Sequence, residues 1–216
     1  MDPSLGDSRI THLVRLAQKA AESLRGDAAD TPELLAQVEA QLRLLSIECF
    51  ENDPRFAEAL VNNSDFDQCQ VYDDGYLAIT LMLFPKAHSY PLHDHPQMTV
   101  LTKVLHGRCV LTETSLVTPE QFYGNPDRYT DFVRLQRFEE TLKLEGEVSR
   151  LDRHSPNLHA LTSDQGCVVL DVMFNYYTEE RPCSFFYAEE EGPEGVVWAT
   201  ARPGTAEFMA LDWGGH

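Results

Sequence analysis

From about residue 69 onward, short apolar runs alternate with turn-forming residues, and this pattern restricts the chain to a fold built of many brief strands. Candidate strands fall at 71–72, 76–84, 98–105, 109–113, 132–138, 140–144, 167–174, 184–187 and 196–200. Between them Asp73-Asp74-Gly75, His106-Gly107, Gly146, Pro182 and Gly192-Pro193 supply the punctuation. Strands in this number suit a barrel, so the expected class is mainly β. The polar stretch 114–131 is the best candidate for a long loop, and no internal repeat or low-complexity segment interrupts the pattern.

The first part of the chain reads differently. Residues 8–25 place Ile10, Leu13, Val14 and Ala17 on one helical stripe that ends near Gly26. Thr31-Pro32-Glu33 reads as an N-cap, a first-turn proline and an acid at the positive helix end, opening a second helix through about Leu45. A third short helix is expected over 54–61, where Phe56, Leu60 and Val61 share a face. The stripes are expected to pack on the barrel, giving a helical segment over 1–66 and a barrel over 67–216 within one structural domain.

Composition narrows the partners. The chain has 216 residues, 43% of them hydrophobic, enough for a sizeable core. Thirty-five acidic against 17 basic residues give a formal charge of −18, which repels phosphate backbones and anionic lipid surfaces; the same field would favour a cationic substrate, though in most acidic proteins it simply serves solubility. Neither nucleic acid nor membrane is an expected partner, and no run approaches the roughly eighteen apolar residues of a membrane-crossing helix. The five cysteines are scattered without a Cys-x-x-Cys spacing, which fits reduced thiols. The N-terminus lacks the features of a secretory or transit peptide, so a cytoplasmic monomer is expected.

The segment 89–99, Ser-Tyr-Pro-Leu-His-Asp-His-Pro-Gln-Met-Thr, sets His93 and His95 two residues apart in extended-looking sequence. On a strand both rings point to one face and could grip one ion. An ordinary surface or core pair would look the same. Downstream, Arg153-His154-Ser155-Pro156-Asn157-Leu158-His159 precedes the apolar run 167–174, and a late histidine just before a strand can complete a facial set. Asp171 interrupts that run, and a carboxylate there must meet solvent, a hydrogen-bond donor or a cation.

Taken together, Pro91-Leu92-His93-Asp94-His95-Pro96 with Met98-Thr99-Val100, Gly107, Asn157-Leu158-His159, Asp171-Val172 and Tyr177 resemble the cysteamine dioxygenase and plant cysteine oxidase family. The matched blocks lie within 77–187. The resemblance implies a cupin (double-stranded β-helix, jelly-roll) barrel with N-terminal helices, and an Fe(II) ion held by His93, His95 and His159. It further implies that Asp171 faces the metal pocket and holds the ammonium end of the substrate, with Tyr177 near the cavity. An ordinary salt bridge for Asp171 and an aromatic plug for Tyr177 are the alternative readings.

Cupins commonly add a carboxylate a few residues after the paired histidines, but Thr99 and Val100 stand at those positions. Three neutral imidazoles leave a bound Fe(II) its full charge and three open facial positions, which suits a thiolate, its neighbouring amine and O2. The implied reaction adds both atoms of O2 to sulfur and gives a sulfinic acid without a separate electron donor. Consistent with that, no Gly-x-Gly-x-x-Gly, phosphate loop or Gly-x-Ser-x-Gly elbow is present.

Two departures stand out. Cys183-Ser184-Phe185 has phenylalanine where some family members carry a tyrosine able to form a thioether with the cysteine, and Gln97 stands where a glycine usually follows the His-Asp-His-Pro block. The expected substrate is an aminothiol, either cysteamine or a Cys-initiated peptide, the latter an oxygen-sensing step. Free cysteine is the rival, weakened because only Lys86 and Lys103 are basic between Arg55 and Arg108. A cupin isomerase or a non-enzymatic interaction module are the readings from other classes. The first should retain a carboxylate ligand and the second has no need of three histidines.

Overall fold

The computed structural model describes residues 7–51, 56, 65–153 and 157–204. Two helices come first. Helix α1 (Ser8–Arg25) starts where the Asp7 carboxylate accepts the Arg9 N–H at 2.7 Å and stops at Gly26. Helix α2 (Thr31–Leu44) has Asp30 rather than Thr31 at its N-cap, because the Thr31 hydroxyl is spent on the Ala28 carbonyl at 2.8 Å. A single turn, α3 (Glu48–Glu51), follows. The helix expected over 54–61 lies outside the described residues except for Phe56, which is buried.

Eleven antiparallel strands follow: β1 (Asp67–Asp73), β2 (Leu77–Phe84), β3 (His88–Asp94), β4 (Thr99–Thr114), β5 (Val133–Leu135), β6 (Glu139–Leu144), β7 (Val148–Leu151), β8 (Leu158–Ser163), β9 (Cys167–Phe174), β10 (Ser184–Glu191) and β11 (Val197–Pro203). Their order is β1-β2-β9-β4-β8-β3-β10-β11-β5, with β6 and β7 also paired to β4. The inner faces of the two halves meet: Met82, Phe84 and Val169 from one side pack with Tyr90, Leu161 and Phe185 from the other. This is the mainly β cupin barrel with N-terminal helices that the strand pattern and the resemblance anticipate.

Strand β4 joins the halves. Thr99–Gly107 runs beside β9, whereas Val110–Thr114 runs beside β8. In place of the expected turn, His106-Gly107 lies inside one continuous 16-residue strand, paired to Val168 and Cys167 just after a bulge between Val104 and His106. Gly107 has φ 76°, and a Cβ there would lie 2.5 Å from the Gly166 carbonyl oxygen, so the corner closes only around glycine. The polar stretch 114–131 contains a short helix, α4 (Pro119–Tyr123). His159 lies within β8 rather than just before a strand.

The helices cover the outer face of β2, β4 and β9. Ile10, Leu13, Ala17, Val38 and Leu42 pack against Ile79, Leu81, Leu101, Leu170 and Val172 in one cluster. With helices outside and the barrel interior inside, β2 and β9 are buried along their whole length, which explains why both read as apolar runs broken only by Thr80 and Asp171. Lys103 of β4 is the polar fastener of this layer. It is 2% exposed, and its Nζ donates to the carbonyls of Leu42, Arg43 and Leu45 at 3.0, 2.8 and 2.6 Å, satisfying the end of α2. Lys103→Met should cost about 1.5–3 kcal/mol by urea denaturation, because these charge-assisted bonds vanish and leave carbonyls unpaired. An unchanged urea midpoint would show that the helices hold to the sheet by apolar contact alone.

Candidate metal centre

Strand β3 places the site. Its alternation sends His93 and His95 to the interior and Asp94 to the opposite face. Pro91 is accommodated by an irregularity between Tyr90 and His93, after which the register sets His93 directly opposite His159 of β8. The His95 N–H then donates to the Asn157 carbonyl at 2.9 Å, so the chain after β3 stays beside the start of β8. A separation of more than sixty residues along the chain becomes one cross-strand pair.

The three rings converge, each 4.7 Å from the other two by centroid. One nitrogen from each lies within 4.8 Å of the others, and all three residues are buried. Burial is the largest cause holding all three imidazoles in the neutral form: His93 is pushed down to about 4, and His95 and His159 well below the usual histidine range. Lone pairs are therefore available at neutral pH.

Hydrogen bonds settle which nitrogens carry them. His93 Nδ1 lies 2.9 Å from the Pro91 carbonyl, which can only accept, so Nδ1 holds the proton and the lone pair falls on Nε2. The Tyr177 hydroxyl donates to the Asp94 carbonyl at 2.7 Å; its oxygen, 2.9 Å from His95 Nδ1, must then accept from that nitrogen. His95 Nε2 consequently aims a lone pair at His159 Nε2, 3.0 Å away. Two ring nitrogens at that separation require a proton or a cation between them. The donor set thus fits a metal ion that prefers imidazole. Thr99 and Val100 contribute no charged ligand, and among the described residues the group contains no carboxylate.

Asp171 lies on β9 between Thr80 of β2 and Thr102 of β4. By alternation it shares the interior face with Cys167 and Val169, which pack among the same residues as Tyr90 and Phe185 beside His93. Its side chain is buried and Oδ1 has no hydrogen-bond partner. Burial pushes its carboxyl up to about 7, with the Thr102 hydroxyl pulling the other way. Tyr177 is placed behind a ring rather than in open space: its ring stacks on that of His95 at 5.7 Å, and its hydroxyl is fully engaged.

The sequence reading missed the support on the far side of β3. Asp94 is completely buried, and its carboxylate accepts the Ser184 N–H at 2.7 Å and the Tyr123 hydroxyl at 2.9 Å, tying β3 to β10 and α4. Burial pushes this carboxyl, too, up to about 7. Strand alternation could have flagged Asp94 as inward on that side, but nothing in the polar stretch 114–131 marks Tyr123 as its partner. Phe185 falls opposite His93, its ring 5.9 Å from the imidazole. His88 is buried in β3 and stacked on Phe66 at 4.9 Å rather than solvated, His106 is exposed beside Glu145, and His154 lies outside the described residues.

Comparison with known proteins places this geometry. Plant cysteine oxidase 2 of Arabidopsis thaliana is 24% identical over 157 residues, covering 65% of this chain and 55% of that protein. A probable 2-aminoethanethiol dioxygenase of Dictyostelium discoideum is 29% identical over 113 residues, covering 50% of this chain and 49% of the relative. The chain thus spans about half the length of these curated relatives. Among solved structures, a cupin superfamily protein from Desulfitobacterium hafniense is a distant likeness, with a TM-score of 0.37 and 12% identity over 52% of this chain and 79% of that chain. The family model described as PCO_ADO matches residues 36–203, a span that holds all three histidines, Asp171 and Tyr177, and the chain belongs to that family.

Proposed function

We propose that the protein is an Fe(II)-dependent thiol dioxygenase that converts an aminothiol, the N-terminal cysteine of a peptide or cysteamine, to its sulfinic acid. The observation that carries this reading is the convergence of three neutral, buried imidazoles with no carboxylate among them. Family membership favours iron over the other ions that imidazole accepts. Bound at His93, His95 and His159, iron would supply a lowered thiol pKa and activation of O2. The names of the relatives, a cysteine oxidase and an aminoethanethiol dioxygenase, point to the same substrate class.

The chain's own groups have distinct parts in this reading. Tyr177 fixes the His95 tautomer by accepting its Nδ1–H, and the Pro91 carbonyl does the same for His93. Asp171, with an unpaired oxygen in the interior, receives the substrate ammonium, and that cation in turn favours the carboxylate form. The apolar surroundings of Phe185 and Tyr90 exclude water from the pocket. With O2 as co-substrate, a peptide substrate would make the reaction an oxygen-sensing step, because the sulfinate can mark a protein for degradation.

The direct test is mass spectrometry of the iron-loaded protein incubated with cysteamine, free cysteine and a Cys-initiated peptide in parallel. Gain of two oxygen atoms on an aminothiol is expected, and no oxidised product from any of the three would sink the proposal. His159→Ala should weaken iron binding by at least about a hundredfold, beyond the loss typical of an outer-shell partner. Full iron occupancy and undiminished turnover in that variant would refute the ligand set. Asp171→Asn should retain iron yet lower kcat/KM for aminothiols roughly tenfold to a hundredfold, the equivalent of about 1.5–3 kcal/mol. Since the free carboxyl titrates near 7, kcat/KM of the native protein should rise through that pH as the carboxylate forms. That limb should disappear in Asp171→Asn; loss of iron from the variant would instead make Asp171 a ligand.

A further inference from the structure

Pro96 and Gln97 carry the chain away from His95, and Gln97 does so in the left-handed region, at φ 58°. Asn175 Nδ2 donates to the Gln97 carbonyl at 3.0 Å and Arg181 Nη1 to the Pro96 carbonyl at 2.8 Å, so the conformation is held from outside. The Gln97 side chain is exposed and stands in the walls of two cavities that also share Tyr123. One, of about 310 Å³, continues past Arg128, Arg181 and Ser184; the other, of about 510 Å³, continues toward Asn157, two residues before His159. None of the three histidines lines either cavity; both lie past the turn at Gln97, two residues after His95, so only a substrate that extends well beyond its first residue could enter them.

Arg128 distinguishes the first cavity. Its Nε is buried with no hydrogen-bond partner, and among the described residues its guanidinium forms no ion pair. It lies over the rings of Phe122 and Tyr129, 5.9 and 4.9 Å from their centroids. The nearby Asp94 carboxylate is already taken by Ser184 and Tyr123. Arg181, on the same wall, is spent as well, donating to the carbonyls of Pro96, Asn175 and Tyr176 and to Asn175 Oδ1. Arg128 alone of the two retains donors to offer, and a planar guanidinium with vacant donors suits a carboxylate. Glu180 also lines the cavity and works against an acidic ligand, so such a side chain fits only where the Arg128 guanidinium outweighs it.

We propose that this cavity receives the second or third residue of a Cys-initiated peptide and that Arg128 selects an acidic side chain there. The inference rests on the thiol-oxidation reading above and adds a specificity-determining residue to it. The overall charge of −18 works against an acidic ligand at long range, so the selection is local and should survive the added salt that screens the distant field.

The test uses the iron-loaded full chain, peptides that differ only in Glu or Lys at positions two and three, and Ser-initiated fluorescent versions for binding by anisotropy. The native protein should favour Glu by roughly tenfold in kcat/KM and in affinity, a difference of about 1.4 kcal/mol. Arg128→Glu should reverse the preference, and Arg128→Gln should abolish it even if the charge reversal folds poorly. Equal handling of both peptides by the native protein, or an unaltered ratio in either folded variant, would overturn the proposal. Charge-selective binding of the Ser-initiated peptides without oxidation of any thiol would support the subsite while rejecting the dioxygenase reading.

Discussion

The pairing of β3 with β8 is the constraint on which the site depends. His93 and His95 come from adjoining positions, but a third imidazole reaches them only because the register puts His159 opposite His93. A slip of one residue would turn His159 to the other face and leave two rings without a third. Several features hold that register: the irregularity at Pro91, the His95 N–H to Asn157 carbonyl bond, and the Asp94 carboxylate clasped by Ser184 and Tyr123 behind the strand. The same register therefore serves packing and chemistry together.

Burial does the electrostatic work at this site. It keeps the imidazoles neutral and turns their lone pairs into ligands, while it raises the Asp171 carboxyl toward neutrality and leaves one of its oxygens unpaired. An interior containing three uncharged rings and one under-satisfied acid is a poor structural core. On the proposed reading, a cation held by the rings and a substrate ammonium at the acid would supply the missing partners. The helices contribute from outside: by covering β2, β4 and β9 and tying down through Lys103, they make the opposite face of those strands a dry barrel interior.

Much of this was legible from residues. The helix over Ser8–Arg25 and the strand over Cys167–Phe174 emerge with the expected bounds, because an apolar stripe ending at glycine and an apolar run broken by a single residue are strong local signals. His106-Gly107 reads as a turn, but a glycine with positive φ also fits a strand that must pass close to a neighbour, here the Gly166 carbonyl, and the sequence does not show that neighbour. Strands β7 and β8 escaped notice because their alternation is short and polar, and their place is set by β4. The histidines could be singled out by spacing and resemblance. The partners Tyr123 and Arg128 could not, because their importance arises from contacts between segments whose separation along the chain carries no signal.

In the proposed reaction both oxygen atoms added to sulfur come from O2 at a centre built by His93, His95 and His159. Oxidising a Cys-initiated peptide with the iron-loaded protein under isotopically labelled O2 in ordinary water tests it most directly, with the product read by mass spectrometry. Two labelled atoms in one sulfinate are predicted. A product carrying one label or none, with the second oxygen drawn from water, would contradict the claim.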